Sequence, residues 1–107
     1  MAALDAYTHR YIHCTQFDWD DGNRAKVQKH GLSVAEIEGF FRRAPRVAPD
    51  PRHSQAEARF IAVGRTAQGR PAFVAFCWRG ACIRPISARY MHAREARRYE
   101  ESSPDDH

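Results

Sequence analysis

Arg59-Phe60-Ile61-Ala62-Val63-Gly64-Arg65, Ala72-Phe73-Val74-Ala75-Phe76-Cys77-Trp78 and Cys82-Ile83-Arg84-Pro85-Ile86-Ser87-Ala88 follow one another with short connections. Each run has the length of a β-strand and is rich in β-branched or aromatic residues. Ala67 to Arg70 makes the first turn and Arg79-Gly80-Ala81 the second, so the runs read as an antiparallel meander. The middle run is apolar on both faces, which places it in the centre of a sheet. Pro85 removes a ladder donor from the third, which favours an edge position or a bulge.

Reading outward, Thr15 to Trp19 is a short strand candidate, and Asp20 offers an N-cap to a helix over Asn23 to His30. Gly31 stands just past it, where a left-handed residue ends helices at little cost. Ser33-Val34-Ala35-Glu36 is a capping box, with Leu32 and Ile37 at the positions of a hydrophobic staple. Val34, Ile37, Phe40 and Phe41 share one helical face, and Pro45 stops that helix. Arg46-Val47-Ala48 then leads into a turn-rich loop, Pro49 to Ser54. His92 to Glu101 forms a last helix with Arg94, Arg97 and Arg98 nearly on one side. The expected class is α+β: a small, mainly antiparallel sheet of about four strands with two N-terminal helices and one C-terminal helix. The helices lie mainly on one face, which leaves the other open.

The 107 residues suit one domain, over 15–101, between an N-terminal extension at 1–14 and a polar tail at 102–107. No apolar run approaches the ~20 residues that span a bilayer. The start of the chain lacks a basic segment followed by an apolar one, so a cytoplasmic location is expected. Cys14, Cys77 and Cys82 form no CxxC pair and read as reduced thiols, although Cys77 and Cys82 could face each other across a hairpin. His9, His13 and Cys14 match no metal-site spacing well, so neither metal nor other cofactor is expected.

Charge is distributed unevenly. Arg59 to Arg98 carries nine arginines, no lysine and one acid, Glu95, a formal +8 within a chain of net +4. Like charges concentrated in a small domain repel, and a bound polyanion or acidic partner relieves them. Arginine presents a flat fork of donors that pairs two-on-two with phosphate oxygens. Nucleic acid is the first candidate ligand.

Metal-free RNA cleavage needs a base for the ribose 2′-OH, cations for the charge growing on phosphorus, and an acid for the leaving 5′-oxygen. Glu57 could be the base; His53 and His30 could be base or acid near neutral pH. Arg59, Arg65, Arg84 and Arg89 are the charge stabilisers. Arg59 and Arg65 share a strand face about 20 Å apart, at ~3.3 Å per residue. Arg84 and Arg89 differ in parity, so both serve one face only if the strand is bent near Pro85 or Arg89 lies past its end. Tyr99 and Trp19 could stack on bases, and Arg94 and Arg98 could hold phosphates. Each has a plainer role open to it: Glu57 as an ion-pair partner, His30 at a helix C-terminus, Tyr99 and Trp19 as packing residues.

Phe17-Asp18-Trp19-Asp20, Asn23 and Lys29-His30-Gly31-Leu32-Ser33 resemble the opening of BrnT-type toxins. Glu57 to Arg65 resembles that family's central strand, and Ile83 to Arg89 with Glu95 and Tyr99-Glu100 its ending. The resemblance implies a RelE-like ribonuclease fold and the toxin half of a type II toxin–antitoxin pair, which blocks translation by cutting RNA without a metal. It implies a BrnA-like ribbon-helix-helix antitoxin, a heterotetramer with it, and operator DNA bound through that antitoxin. By position, it carries functional roles to His30, Glu57, Arg59, Arg65, Arg84 and Arg89. The alternative is a module that binds nucleic acid or an acidic protein without breaking a bond.

Overall fold

The computed structural model describes residues 16–53 and 56–102. The expected extension at 1–14, Thr15, the His9, His13 and Cys14 group, Ser54 and the tail from 103 onward lie outside the described residues. The described elements are α1 (Asp21–Gln28), α2 (Val34–Arg42), β1 (Arg46–Pro49), a short 3₁₀ turn (Pro51–His53), β2 (Phe60–Arg65), β3 (Pro71–Arg79), β4 (Cys82–Tyr90) and α3 (Ala93–Ser102). The four strands form one antiparallel sheet in the order β1-β2-β3-β4. The expected α+β class and the central place of β3 both hold.

The fourth strand is not the expected one. Of Thr15 to Trp19, the described part makes only an isolated parallel bridge, Phe17 to Ile83. Ile83 donates to Gln16 and Asp18 donates to Ile83, and the chain then turns into α1. The strand role falls to Arg46–Pro49, four residues that follow Pro45 and end in a proline, paired along β2 from Arg46↔Val63 to Pro49↔Phe60.

Both N-terminal helices start as the sequence dictates. Asp20 caps α1 and forms a box with Asn23; Ser33 caps α2 and forms one with Glu36. Each box satisfies N–H groups that the helix itself leaves unpaired. Val27, Leu32, Ile37, Phe40 and Phe41 then cover Ala62, Ala72, Val74, Phe76, Ile83 and Ala88 of the sheet, all buried. Phe41 meets Phe40 at 5.3 Å and Phe76 at 5.2 Å, both edge to face. Each fully buried Phe contributes roughly 1.5–3 kcal/mol. Gly64 lets the α2–β1 connection pack closely on β2, because a Cβ there would stand 3.0 Å from Pro45 Cβ and 3.4 Å from Phe40.

β4 carries the feature that positions the site. Ala75 pairs with Ser87 but Phe76 pairs with Pro85, so Ile86 is an extra residue on β4. This bulge shifts the alternation by one. Ile83 and Pro85 face the core before it, Ala88 after it. On the opposite face, Arg84 stands beside Cys77 and Arg89 beside Phe73. The bulge, at the residue following Pro85, therefore resolves the parity mismatch and puts both arginines on the face away from α1 and α2.

That face is not fully open. α3 lies against one end of it, with Tyr99 between Arg46 and Arg65 and Glu95 on Arg89. No residue of α3 is buried. Cys77 and Cys82 are both free thiols and do not oppose each other, since Cys77 pairs with Arg84 and Cys82 with Arg79.

Asn23 ties α1 to the bulged strand. Its buried amide donates to the carbonyls of Asp18 (3.0 Å) and Pro85 (2.8 Å), and its oxygen accepts from Asp20 (2.7 Å). Asn23→Ala leaves these partners unpaired and is expected to destabilise the protein by about 1–3 kcal/mol in urea unfolding. A change below a few tenths would show that water replaces the amide freely.

Candidate functional site

The face away from the first two helices reads as rows across the strands. Ala48, Ile61, Ala75 and Ser87 form a middle row of small or aliphatic side chains. Arg46, Val63, Phe73 and Arg89 form the row toward α3, and Cys77 and Arg84 stand on the other side. The two flanking rows are four residues apart on β3, about 13 Å at ~3.3 Å per residue.

A cavity of about 380 Å³ opens over the middle of this face. Ile61, Phe73 and Ala75 floor it, Ser87 and Arg89 stand on β4, and His30 reaches it from the α1–α2 turn. His30 is brought there because Gly31 adopts φ 103°, which turns the chain back toward β4 so that Tyr90 lies 3.6 Å from where a Cβ would be. Tyr90 locks the same corner by donating to Glu36 at 2.8 Å, with Arg70 stacked 3.4 Å above its ring. The Arg89 guanidinium lies 4.6 Å over the Phe73 ring. Two smaller sites flank the cavity. One is lined by His53, Glu57, Arg59, Cys77 and Ile86. The other lies under α3 and includes Arg46, Val63, Arg98 and Tyr99.

His30 and Arg89 thus share one cavity, His53, Glu57 and Arg59 share a second, and Arg98 and Tyr99 a third. Arg65 stands near the third through Tyr99, at 5.7 Å from the ring centre. Arg84 lines none of the three, and Arg94 is an exposed residue of α3 outside them. Trp19 is placed elsewhere. Its indole N–H donates to Glu38 at 2.9 Å, and its ring packs against the core on the helix side. Its partner is nineteen residues away in α2, a contact with no local signal.

Internal carboxylates already occupy several of the arginines. Arg84 pairs with Asp20 at 2.8 Å and Asp18 at 3.5 Å. Arg89 makes a two-pronged pair with Glu95 at 2.9 and 3.0 Å. Arg65 reaches Glu100 at 2.7 Å. Arg79, which sequence reasoning did not single out, grips Glu57 at 2.9 and 3.2 Å. The hydrogen bond from Arg79 holds the Glu57 carboxyl below its ordinary range. A carboxylate so paired is a poor proton acceptor, and Glu57 looks less like a base than the sequence suggested. Cys77 beside it is pushed up, first by burial and then by the Glu57 charge. His53 Nδ1 stands 3.0 Å from Asp50. Among the described residues, no group of three or more His, Cys, Asp or Glu side chains is arranged to hold a metal ion.

The profile described as "Ribonuclease toxin, BrnT, of type II toxin-antitoxin system" matches residues 19–95. The chain belongs to the BrnT toxin family. Membership implies an RNA target and an antitoxin partner. The match runs from Trp19 through Glu95 and so includes His30, Arg89 and the bulge, but stops within α3. No curated protein and no solved structure matches the chain. No helix among the described residues is long and apolar enough to cross a membrane.

Glu95 is the most strongly shifted acid of this BrnT face. The Arg89 hydrogen bonds and the His92 backbone N–H lower it from 4.5 to about 2. The folded value lies below the ordinary one, so the pair stabilises the fold fully above about 4.5, and this contribution is lost as pH falls toward about 2. Glu95→Gln is expected to be less stable than the parent at neutral pH. The difference should shrink between about pH 4.5 and 2 in acid-unfolding curves. A gap of constant size down to pH 2 would contradict the pairing.

Proposed function

We propose that this chain is a metal-independent endoribonuclease that binds and cuts RNA on the arginine-bearing face of its sheet, and that it inhibits translation by doing so. The observation that carries the reading is the meeting of His30 and Arg89 at one cavity, on the face that also bears Arg46, Arg59 and Arg65. The reaction is attack of a ribose 2′-oxygen on the adjacent phosphorus with departure of the 5′-oxygen. His30 is the proton-moving group, taking the 2′ proton or returning one to the leaving oxygen. Arg89 stabilises the charge that grows on the phosphorane oxygens, where a guanidinium fork fits better than an ammonium. Arg59 and Arg65 hold flanking phosphates.

The family supports a BrnA-like ribbon-helix-helix antitoxin as partner, a heterotetramer with it, and operator DNA contacted through that antitoxin. It also supports a RelE-like fold relationship, a unit spanning 15–101 and a cytoplasmic site of action. A non-catalytic binding module is the competing reading, favoured by the two-pronged pairing of Glu57 with Arg79, which removes one candidate base.

Purified protein in EDTA should cleave RNA and leave 2′,3′-cyclic phosphate ends, and its expression alone should arrest growth. Arg89→Ala should lower the rate by about 10²–10³, as for loss of one charge-stabilising donor. RNA affinity should fall far less, and Arg89→Lys should not restore the rate. Equal losses of rate and affinity would favour the binding module. Intact RNA at high protein and low salt would reject the nuclease.

A further inference from the structure

We propose that the cavity over Ile61 and Ala75 is a nucleobase pocket, which seats one unpaired base of the RNA and thereby sets where the chain is cut. The proposal rests on the ribonuclease reading for its consequence, though not for the binding it describes.

Three observations carry it. First, the middle row is small. Ala75 and Ser87 are neighbours on adjacent strands, and Ile61 stands beside Ala75. Taller side chains, Phe73 with Arg89, rise on the side toward α3. The result is a depression of about 380 Å³, within the range of pockets that take small ligands.

Second, its chemistry suits a flat heterocycle better than a phosphate. Ile61, Phe73 and Ala75 supply apolar lining. Guanidinium planes and aromatic rings are the surfaces on which unstacked bases settle. Arg89, whose guanidinium carbon stands 4.6 Å from the Phe73 ring centre, supplies a guanidinium along one wall. Ser87 and His30 supply groups that can donate to or accept from a base edge.

Third, apart from Arg89 on its β4 side, the arginines lie around the pocket rather than in it. The arginines of the face stand toward its two ends, Arg59 with the His53 site and Arg46, Arg65 and Arg98 with α3. A single strand crossing the sheet would place phosphates at the ends and a base over the apolar centre. A duplex keeps its bases stacked and presents only backbone and groove edges, so it offers no unstacked base to the depression.

The test uses the full chain and single-stranded DNA oligonucleotides, which lack the 2′-OH and cannot be cut by this route. Anisotropy titrations should show tighter binding of the single strand than of a duplex matched in phosphate count. Ala75→Leu, which fills the depression, should weaken single-strand binding about ten-fold or more. It should leave duplex binding and the slope of log K against log salt unchanged, since no phosphate contact is lost. In the unmodified protein, nucleoside 5′-monophosphates should shift the Ile61 and Ala75 methyl resonances, and inorganic phosphate should not. That measurement stands even if Ala75→Leu fails to fold. Equal affinity for single strand and duplex, or methyls that answer alike to phosphate and nucleotide, would overturn the pocket. Failure of the parent protein to cut any RNA would instead remove the nuclease reading and leave these binding results intact.

Discussion

One inserted residue in β4 governs the functional face. Without the bulge at Ile86, strict alternation would send Arg89 toward the core when Arg84 faces away from it. A charged side chain cannot be accommodated among Val74, Phe76 and Phe41 without a partner. The bulge lets Ile83 and Pro85 face the core before it and Ala88 after it, while Arg84, Ser87 and Arg89 share the opposite surface. The buried Asn23 amide bonds to the Pro85 carbonyl, so the hydrogen bond that anchors α1 falls next to the irregularity.

The concentration of positive charge is compensated first from within. Asp20, Glu57 and Glu100 come from outside the arginine-rich stretch and Glu95 from inside it, and all four are drawn onto its guanidinium groups. Exposed pairs of this kind each contribute little, and salt screens them. The positive charge of this surface is compensated within the chain itself.

Much of the fold was legible because its signals are local. Asp20, Ser33 and Glu36 announce the helix starts, Gly31 and Pro45 the ends, and the unbroken apolar run of β3 its central position. β1 was not legible, because four residues that follow one proline and end in another have no pattern of their own and become a strand only by pairing with β2. Pro85 pointed to an edge or a bulge and both are present, but nothing in the residues themselves fixed which one is extra. The clustering of His30 with Arg89 depends on the turn at Gly31 and on the bulge together, so spacing alone did not pair them. An ion-pair role for Glu57 was open from the sequence, but Arg79 as its partner was not legible for a similar reason: the two are twenty-two residues apart, on a loop and a strand end.

The three helices are held by different forces. α1 and α2 are fastened by Val27, Ile37, Phe40 and Phe41 sunk into the core. α3 buries nothing and is fastened by Glu95, Glu100 and the Tyr99 ring between two arginines. Hydrophobic burial tightens in concentrated sulfate or phosphate, whereas exposed charge contacts fade as ions screen them. The seat of α3 and the interior of the protein thus respond to ionic strength in opposite directions.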